Sequence, residues 1–404
     1  MEKKNQLLNG DSEIELKKFP DNYFDVVATD PPYGLEFLGL NWDKAVPSVS
    51  IWKEVLRTMK PGAFAFVLCA PRQDVLAQMI VRMSEAGFDT GFSSIYWAYA
   101  SGLPKAMDIS KIVDKKMGKE RQIISGTPKP EEYSGKFDQR SSTERPKDNG
   151  AVSEEAKALE GSYAGFQPKP AIEIVIVAMK PLSEKTYFEQ ALSNKKGITW
   201  LQYGRIPSET AELGFKGRFP ANILVEDDIL NDGSISKSPS GYVNRQPRKG
   251  SVLTGENCGF NSEENHASGC GDFGSFSRYF SLDAWWNMHI EKLPDSVKEV
   301  FPFLIVPKPS NKEKNEGLDG IENTHATVKP LKLMSYVITI GSCPGDIVLD
   351  PFVGSGTTCK ASEIEGRKWV GIELTESSFR ISQVRMGINP LTNKTESDSI
   401  DDLF

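Results

Sequence analysis

Cysteine and histidine are scarce, with five and three residues respectively in a chain of 404. The cysteines, at 69, 258, 270, 343 and 359, show no disulfide-framework spacing, and so low and odd a count points to a reducing compartment and a cytoplasmic protein. Cys258, His266 and Cys270 lie close together, but without C-x-x-C spacing or an evident fourth ligand, so no metal is expected. No stretch approaches eighteen uninterrupted apolar residues, and the first residues lead into no apolar run. Neither a membrane span nor a signal peptide is therefore expected, and no membrane partner. Excess positive charge is also missing. The formal net charge of -7 excludes a uniformly basic nucleic-acid coat and leaves only a local basic cleft open. There is no internal repeat. What is present, 39% hydrophobic and 25% charged residues with 10% aromatics, is the composition of an ordinary globular protein with a sizeable core.

Strand and helix patterns alternate at both ends of the chain. Phe24–Thr29 is a β-rich run stopped by Asp30-Pro31-Pro32, and Ala63–Cys69 is a near-continuous apolar run of the kind buried on both faces. Helical spacing covers Ile51–Met59 and Asp74–Ala86, closed by Pro61-Gly62 and Gly87. Ile172–Met179 is another buried-type strand. The rhythm returns with a helix over Leu331–Ile340, a strand over Ile347–Asp350, a helix over Thr357–Glu365 and a strand over Trp369–Glu373. Such alternation predicts an α/β fold with a mostly parallel, doubly wound sheet. The expected division is 1–108 as one half of the sheet domain, 109–168 as a mobile, apolar-poor insertion, and 169–181 as a return strand. Residues 182–300 follow as a separate polar lobe, 301–390 as the second half, and 391–404 as an acidic tail.

Two constellations carry chemistry. Asp350-Pro351-Phe352-Val353-Gly354-Ser355-Gly356-Thr357-Thr358 follows a buried strand and opens a helix. Its glycines let a ligand approach the backbone, the helix start offers amide donors, and Glu373 at the end of the next strand is placed to accept from ribose hydroxyls. It is neither G-x-G-x-x-G nor a P-loop, and Asp350 would repel a pyrophosphate but suit an ammonium group. A nucleoside cofactor with an amino-acid tail is the reading; a ligand-free tight turn is the bland alternative. The second constellation, Asp30-Pro31-Pro32-Tyr33-Gly34, is a stiff loop at a strand's carboxyl end. The Asp30 carboxylate and Pro31 carbonyl can accept from an exocyclic amine and free its lone pair, while Tyr33 offers a face for a base taken out of its helix. Alone, this tetrapeptide is equally well read as a proline-rich turn.

Together the two motifs resemble those of the S-adenosylmethionine-dependent amino DNA methyltransferases, [DNS]-P-P-[YFW] and D-x-F-x-G-x-G. With the catalytic motif first, the order resembles that of the β group. Asn9-Gly10-Asp11-Ser12 is similar to the family's element whose Asp faces the cofactor adenine. His325-Ala326-Thr327-Val328-Lys329-Pro330 is similar to H-P-T-x-K-P, which embraces the methionine part, with Ala326 in place of proline. Segments 97–105 and 217–222 look like those of phage and prophage members. The resemblance implies a circularly permuted, Rossmann-like methyltransferase fold with an inserted target-recognition lobe. It implies catalytic residues Asp30, Pro31, Pro32 and Tyr33. Its cofactor residues are Asp11, His325, Thr327, Lys329, Pro330, Asp350, Pro351, Phe352, Gly354, Ser355, Gly356, Thr357, Thr358 and Glu373. The sheet would then be assembled from both chain ends, with Gln6-Leu7-Leu8 beside the strand ending at Glu373.

The expected activity is methyl transfer from S-adenosylmethionine to adenine N6 in double-stranded DNA by base flipping. Cytosine-N4 is the nearest alternative, ahead of an RNA or protein-glutamine methyltransferase or a catalytically silent DNA-binding protein. A homodimer and a cognate restriction endonuclease stay open as partners. Lys237, Arg245, Arg248 and Lys249 are either DNA phosphate contacts or a solvated loop. The Lys111–Arg121 face reads as solvated, Trp285-Trp286 as core, and His289 as a packing or surface residue.

Overall fold

The structure, a computed structural model, describes residues 5–34, 45–98, 106–125, 147–166, 168, 171–206, 217–225, 230, 235–237, 240–244, 266–270, 273–287, 314–315, 317–318, 323 and 328–388. Eight strands form one sheet: β1 (Gln6–Asn9), β2 (Val26–Thr29), β3 (Phe64–Cys69), β4 (Ile95–Ala98), β5 (Ile172–Met179), β6 (Ile223–Val225), β7 (Ile347–Asp350) and β8 (Lys368–Glu373), in the spatial order β1-β8-β7-β2-β3-β5-β4-β6. All pair in parallel except β5, which runs antiparallel to both β3 and β4. The α/β class and the mostly parallel sheet are as expected. So is assembly from both ends: β1 pairs with β8 in the register Gln6↔Val370 to Asn9↔Glu373.

Both faces of the sheet are covered, which is why its strands are continuous apolar runs. The side chains of β3 alternate accordingly: Phe64, Phe66 and Leu68 enter one core, Ala65, Val67 and Cys69 the other. The Ala65 side of the sheet is packed by α1 (Ser12–Leu16), α2 (Val49–Thr58) and α3 (Gln73–Ala86). The Phe66 side is packed by α4 (Leu331–Gly341) and α5 (Thr357–Ile364), with α6 (Glu376–Arg385) closing the chain's last described turn. Among the described residues no helix is long and apolar enough to cross a membrane.

Two compact units are present. Gly102–Pro170 is the smaller, and Met1–Ser101 with Ala171–Phe404 the larger. The smaller unit was expected to be a loose insertion because apolar residues are few. Residues 126–146, within the stretch where apolar residues are sparsest, lie outside the described residues; in the described part, polar bonds gather around the buried Asp114 carboxylate. Asp114 receives Arg121 at 2.7 Å, the Ser153 amide at 2.9 Å and the Ser153 hydroxyl at 2.7 Å. The expectation that 182–300 stands apart also differs from what is seen. Strand β6 is an edge of the main sheet, and Trp285 and Trp286 lie fully buried in its core. A few large aromatics are enough to anchor a segment whose composition is mostly polar.

At the amino ends of β2 and β7 lies a buried charge network. Asp25 accepts Lys60 Nζ at 2.6 Å and the Ile347 amide at 3.0 Å, and Lys196 Nζ lies 3.0 Å from it and 2.9 Å from Asp346. Burial alone would push the Asp25 carboxyl up, but Lys196 and the Lys60 bond outweigh it and hold it below the usual carboxylate range. Its contribution to stability is therefore present above the unfolded-state pKa and is lost as pH falls through the lower folded value. Asp25→Ala should destabilise the fold by about 3–5 kcal/mol, because it strands Lys60, leaves Lys196 with Asp346 as its one counter-charge and leaves the Ile347 amide without its acceptor. Urea unfolding of the variant at neutral pH checks this; a loss below about 1 kcal/mol would show the network to be dispensable.

Candidate active site

The strands to either side of β2 are reached by different routes: β3 follows directly in sequence, while β7 arrives from the far end of the chain. The carboxyl ends of β2 and β7 thus flank a topological switch point, where open α/β sheets bind ligands. Both chemical motifs emerge there. The Thr29 hydroxyl donates to Asp350 Oδ1 at 2.6 Å, tying the two motifs together across 321 residues of sequence.

The glycine loop is built on two carboxylates. Asp350, 3% exposed, also accepts the Phe352 amide at 3.0 Å. Burial pushes its carboxyl up to about 6, although the bonds from Thr29, Thr358 and Phe352 pull the other way. Glu373 accepts the Gly354 amide at 2.9 Å and the Thr375 amide at 2.8 Å, and burial raises its carboxyl as well. Gly356 has φ +88°, a left-handed conformation that glycine adopts without strain, and a Cβ there would stand 3.3 Å from Ser382. From behind, the buried Arg385 guanidinium donates to the Ser355 carbonyl at 2.7 Å and its hydroxyl at 3.1 Å. Thr357 and Thr358 are buried in the first turn of α5, and the Phe352 ring lies 6.3 Å from that of Trp52.

The N-terminal element is stapled to this loop. The Gly10 amide and the Asn9 side chain both donate to the Glu373 carbonyl at 2.9 Å, and the Ser12 hydroxyl donates to the Pro351 carbonyl at 2.5 Å. The Asp11 carboxylate caps α1 by accepting the Glu13 and Ile14 amides.

The D-P-P-Y tetrapeptide is held by partners on other elements. Asp30 Oδ1 accepts the Tyr33 hydroxyl at 2.5 Å, and Asp30 Oδ2 meets Lys329 Nζ at 2.8 Å. Lys329 Nζ also lies 3.2 Å from Glu173 Oε2 on β5 and 5.5 Å from the centre of the Tyr33 ring. Burial disfavours the Lys329 ammonium, but Asp30 and Glu173 outweigh it and hold its pKa above the ordinary lysine value. Burial and the neighbouring Asp30 raise the Tyr33 phenol in turn. Cys69, at the end of β3, is pushed up to about 12 by burial and by Asp30 and Glu173. It is a buried thiol, as the sequence suggests.

The structure therefore brings Asp30, Tyr33, Lys329, Asp350, the glycine loop, Glu373 and Asp11 to one edge of the sheet. Lys329, grouped by resemblance with the methionine-embracing element, has its amine on the Asp30 carboxylate. Pro31, Pro351 and Pro330 are buried. His325, Thr327, Arg245, Arg248 and Lys249 lie outside the described residues. Lys237 lies in a two-residue strand, Ser236–Lys237, paired with Phe273–Gly274. Sequence reasoning missed Thr29, Glu173 and Arg385. Glu173 left a signal, a lone acid inside the apolar run Ile172–Met179.

Fold and site together define an α/β chain with a glycine-rich strand-to-helix loop and a D-P-P-Y loop side by side. Comparison with known proteins agrees with the resemblance read from the motifs. Residues 236–384 match the N6_N4_Mtase family, described as DNA methylase. The DNA adenine methyltransferase YhdJ of Escherichia coli (strain K12) is 38% identical over 93 residues, 20% of this chain and 31% of that protein. The type II methyltransferase M.HinfI of Haemophilus influenzae is 36% identical over 93 residues, 23% of this chain and 26% of that protein. The chain thus spans less than a third of the length of either relative. Among solved structures, the cytosine-N4-specific PvuII DNA methyltransferase is similar at TM-score 0.42 and 16% identity, over 99% of this chain and 93% of that one.

Proposed function

We propose that this chain is an S-adenosylmethionine-dependent DNA methyltransferase that methylates adenine N6 in duplex DNA. The observation that carries the proposal is the Thr29–Asp350 bond, which fixes an amine-accepting carboxylate beside a nucleoside loop at the switch point. The residues fit the cofactor. Asp350 is a buried carboxylate with no ion pair among the described residues, a site that an α-ammonium group would neutralise. Glu373 stands at the end of β8, where ribose hydroxyls can reach its carboxylate. When bound, the cofactor supplies a methyl carbon on a sulfonium sulfur.

Everything else falls to the chain. A carboxylate can accept about four hydrogen bonds, so Asp30, with two positions taken by Tyr33 and Lys329, has room for the target amine. Accepting the amine hydrogens localises the nitrogen lone pair and points it along the line of attack. The surplus proton on nitrogen after transfer passes to Asp30 or to water. Tyr33, braced through its hydroxyl, presents its ring to a base extruded from the duplex. No protein nucleophile is required, consistent with the buried, neutral Cys69. Lys237, Arg245, Arg248 and Lys249 are proposed as phosphate contacts, and residues 182–300 as the part that reads the sequence.

Duplex DNA incubated with the protein and methyl-labelled cofactor, then digested for nucleoside mass spectrometry, tests the proposal. Labelled N6-methyladenine is expected. Labelled N4-methylcytosine would reassign the base, and absence of label in either would reject the activity.

A further inference from the structure

We infer that Glu173 is a positioning residue for the transfer: through Lys329 it sets the charge of the pocket that receives the target amine. The inference rests on the methyltransferase reading above. Glu173 lies on β5, the only antiparallel strand of the sheet, within a run of otherwise apolar residues. A carboxylate there costs free energy unless it is paired, and its partner is the Lys329 ammonium at 3.2 Å. That ammonium is itself 9% exposed and sits 2.8 Å from Asp30.

If Lys329 served only to keep Asp30 ionised, one carboxylate would be enough. Asp30 and Lys329 alone would form a neutral pair. Glu173 shares the ammonium, and these three groups together carry one unbalanced negative charge. The groups around it among the described residues are these. Asp30 and Tyr33 come from the loop after β2, Cys69 from the end of β3, Glu173 from β5, Lys329 from the approach to α4, and Asp350 from the end of β7. Tyr33 and Cys69 stay neutral through the physiological range, because burial and the adjacent carboxylates raise both. The negative charge is thus set by Asp30, Glu173 and Lys329, with Asp350 directed to the cofactor.

This matters at one step. The amine nitrogen's lone pair forms the new bond to the methyl carbon, while the carbon–sulfur pair departs with sulfur. The nitrogen then holds one proton too many. That proton moves to an Asp30 oxygen and the N–H pair returns to nitrogen. A second carboxylate on the same ammonium leaves more negative potential at the Asp30 oxygens, where the proton arrives.

The test uses Glu173→Gln and Glu173→Asp in the full chain, with two readouts. Single-turnover methylation is followed from pH 5 to 9 at saturating DNA and cofactor. For Glu173→Gln a loss of about tenfold or more at neutral pH is expected, with the acidic limb moved to lower pH by about one unit, KM for DNA within about twofold, and partial rescue in Glu173→Asp. A slower enzyme with an unmoved limb would make Glu173 a packing residue and overturn the inference, as would an unchanged rate. The second readout needs no activity. Competitive labelling with acetic anhydride across pH, read at Lys329 by peptide mass spectrometry, should show labelling beginning at lower pH in Glu173→Gln. An unmoved onset would overturn the link between Glu173 and the clamp. Absence of methylation in the wild type would reject the enzymatic reading, while the labelling result would still decide whether Glu173 governs Lys329.

Discussion

Replacing Asp30 with alanine should lower single-turnover methyl transfer by about 10³-fold while leaving S-adenosylmethionine affinity within about twofold. Asp30 contacts Tyr33 and Lys329, not the glycine loop, so calorimetric titration with the cofactor should be nearly unchanged. The fold should survive, because Lys329 keeps Glu173 as a counter-charge and the pair is then neutral. Asp30→Asn separates the two roles of the carboxylate. Its amide oxygen can still accept one amine hydrogen, but it carries no charge and cannot take the proton. Transfer should fall less than in Asp30→Ala. Tyr33→Phe removes the hydroxyl that braces Asp30 at 2.5 Å but keeps the ring, so it should be milder than Tyr33→Ala, which removes the stacking face as well. Wild-type transfer by a folded Asp30→Ala protein would return the tetrapeptide to a plain turn.

The parts of this site that were legible in the sequence are those with a local signature. Strands buried on both faces are short, almost wholly apolar runs, so Ile172–Met179 and Ile347–Asp350 could be placed to the residue whether the strand runs parallel or antiparallel. The glycine loop and the D-P-P-Y loop announce themselves by backbone requirements that few residues meet. Even the pairing of β1 with β8 followed from a simple deficit: a sheet whose cofactor half comes last must take its outer strand from the first residues.

What stayed illegible depends on three-dimensional neighbours. Lys329 and Glu173 meet only because β5 reverses direction between β3 and β4, and nothing in either residue's local sequence names the other. Thr29 reads as one more β-branched strand residue until the end of β7 is laid beside it. The unit Gly102–Pro170 misleads for another reason. Apolar density is the usual measure of order, and the described part of this unit is organised around a saturated carboxylate, Asp114, whose donors are a serine, two backbone amides and an arginine. Residues 182–300 mislead by dilution, since β6 is three residues long and Trp285 and Trp286 are two residues in a polar stretch.

Cofactor affinity should rise with pH through about 6, and Asp350 should be the group responsible. Its carboxyl is held up to about 6 by burial in the cofactor-free protein, against 3.8 in the unfolded chain. A raised carboxyl pKa means that the folded state binds the proton more tightly than the unfolded one. Stability is therefore highest below the unfolded value and declines as pH climbs through 6. The cost at neutral pH is about 3 kcal/mol at about 1.4 kcal/mol per pKa unit. An ammonium group docked against the carboxylate reverses the balance, because it favours the ionised form and drives the proton off. Binding should accordingly strengthen by up to about 30-fold between pH 4.5 and 7.5, with proton release below pH 6 measurable as a buffer-dependent binding enthalpy. Asp350→Asn isolates the effect. Without the buried charge, the cofactor-free protein should melt higher than the wild type at pH 7 and lose its decline in stability between pH 4 and 7. The same change should weaken cofactor binding by about tenfold or more and flatten its pH dependence, since a neutral amide gives the ammonium no counter-charge. A variant that binds with the wild-type pH profile would show that the cation is met elsewhere, and Asp350 would then serve only to shape the loop through Thr29, Thr358 and Phe352.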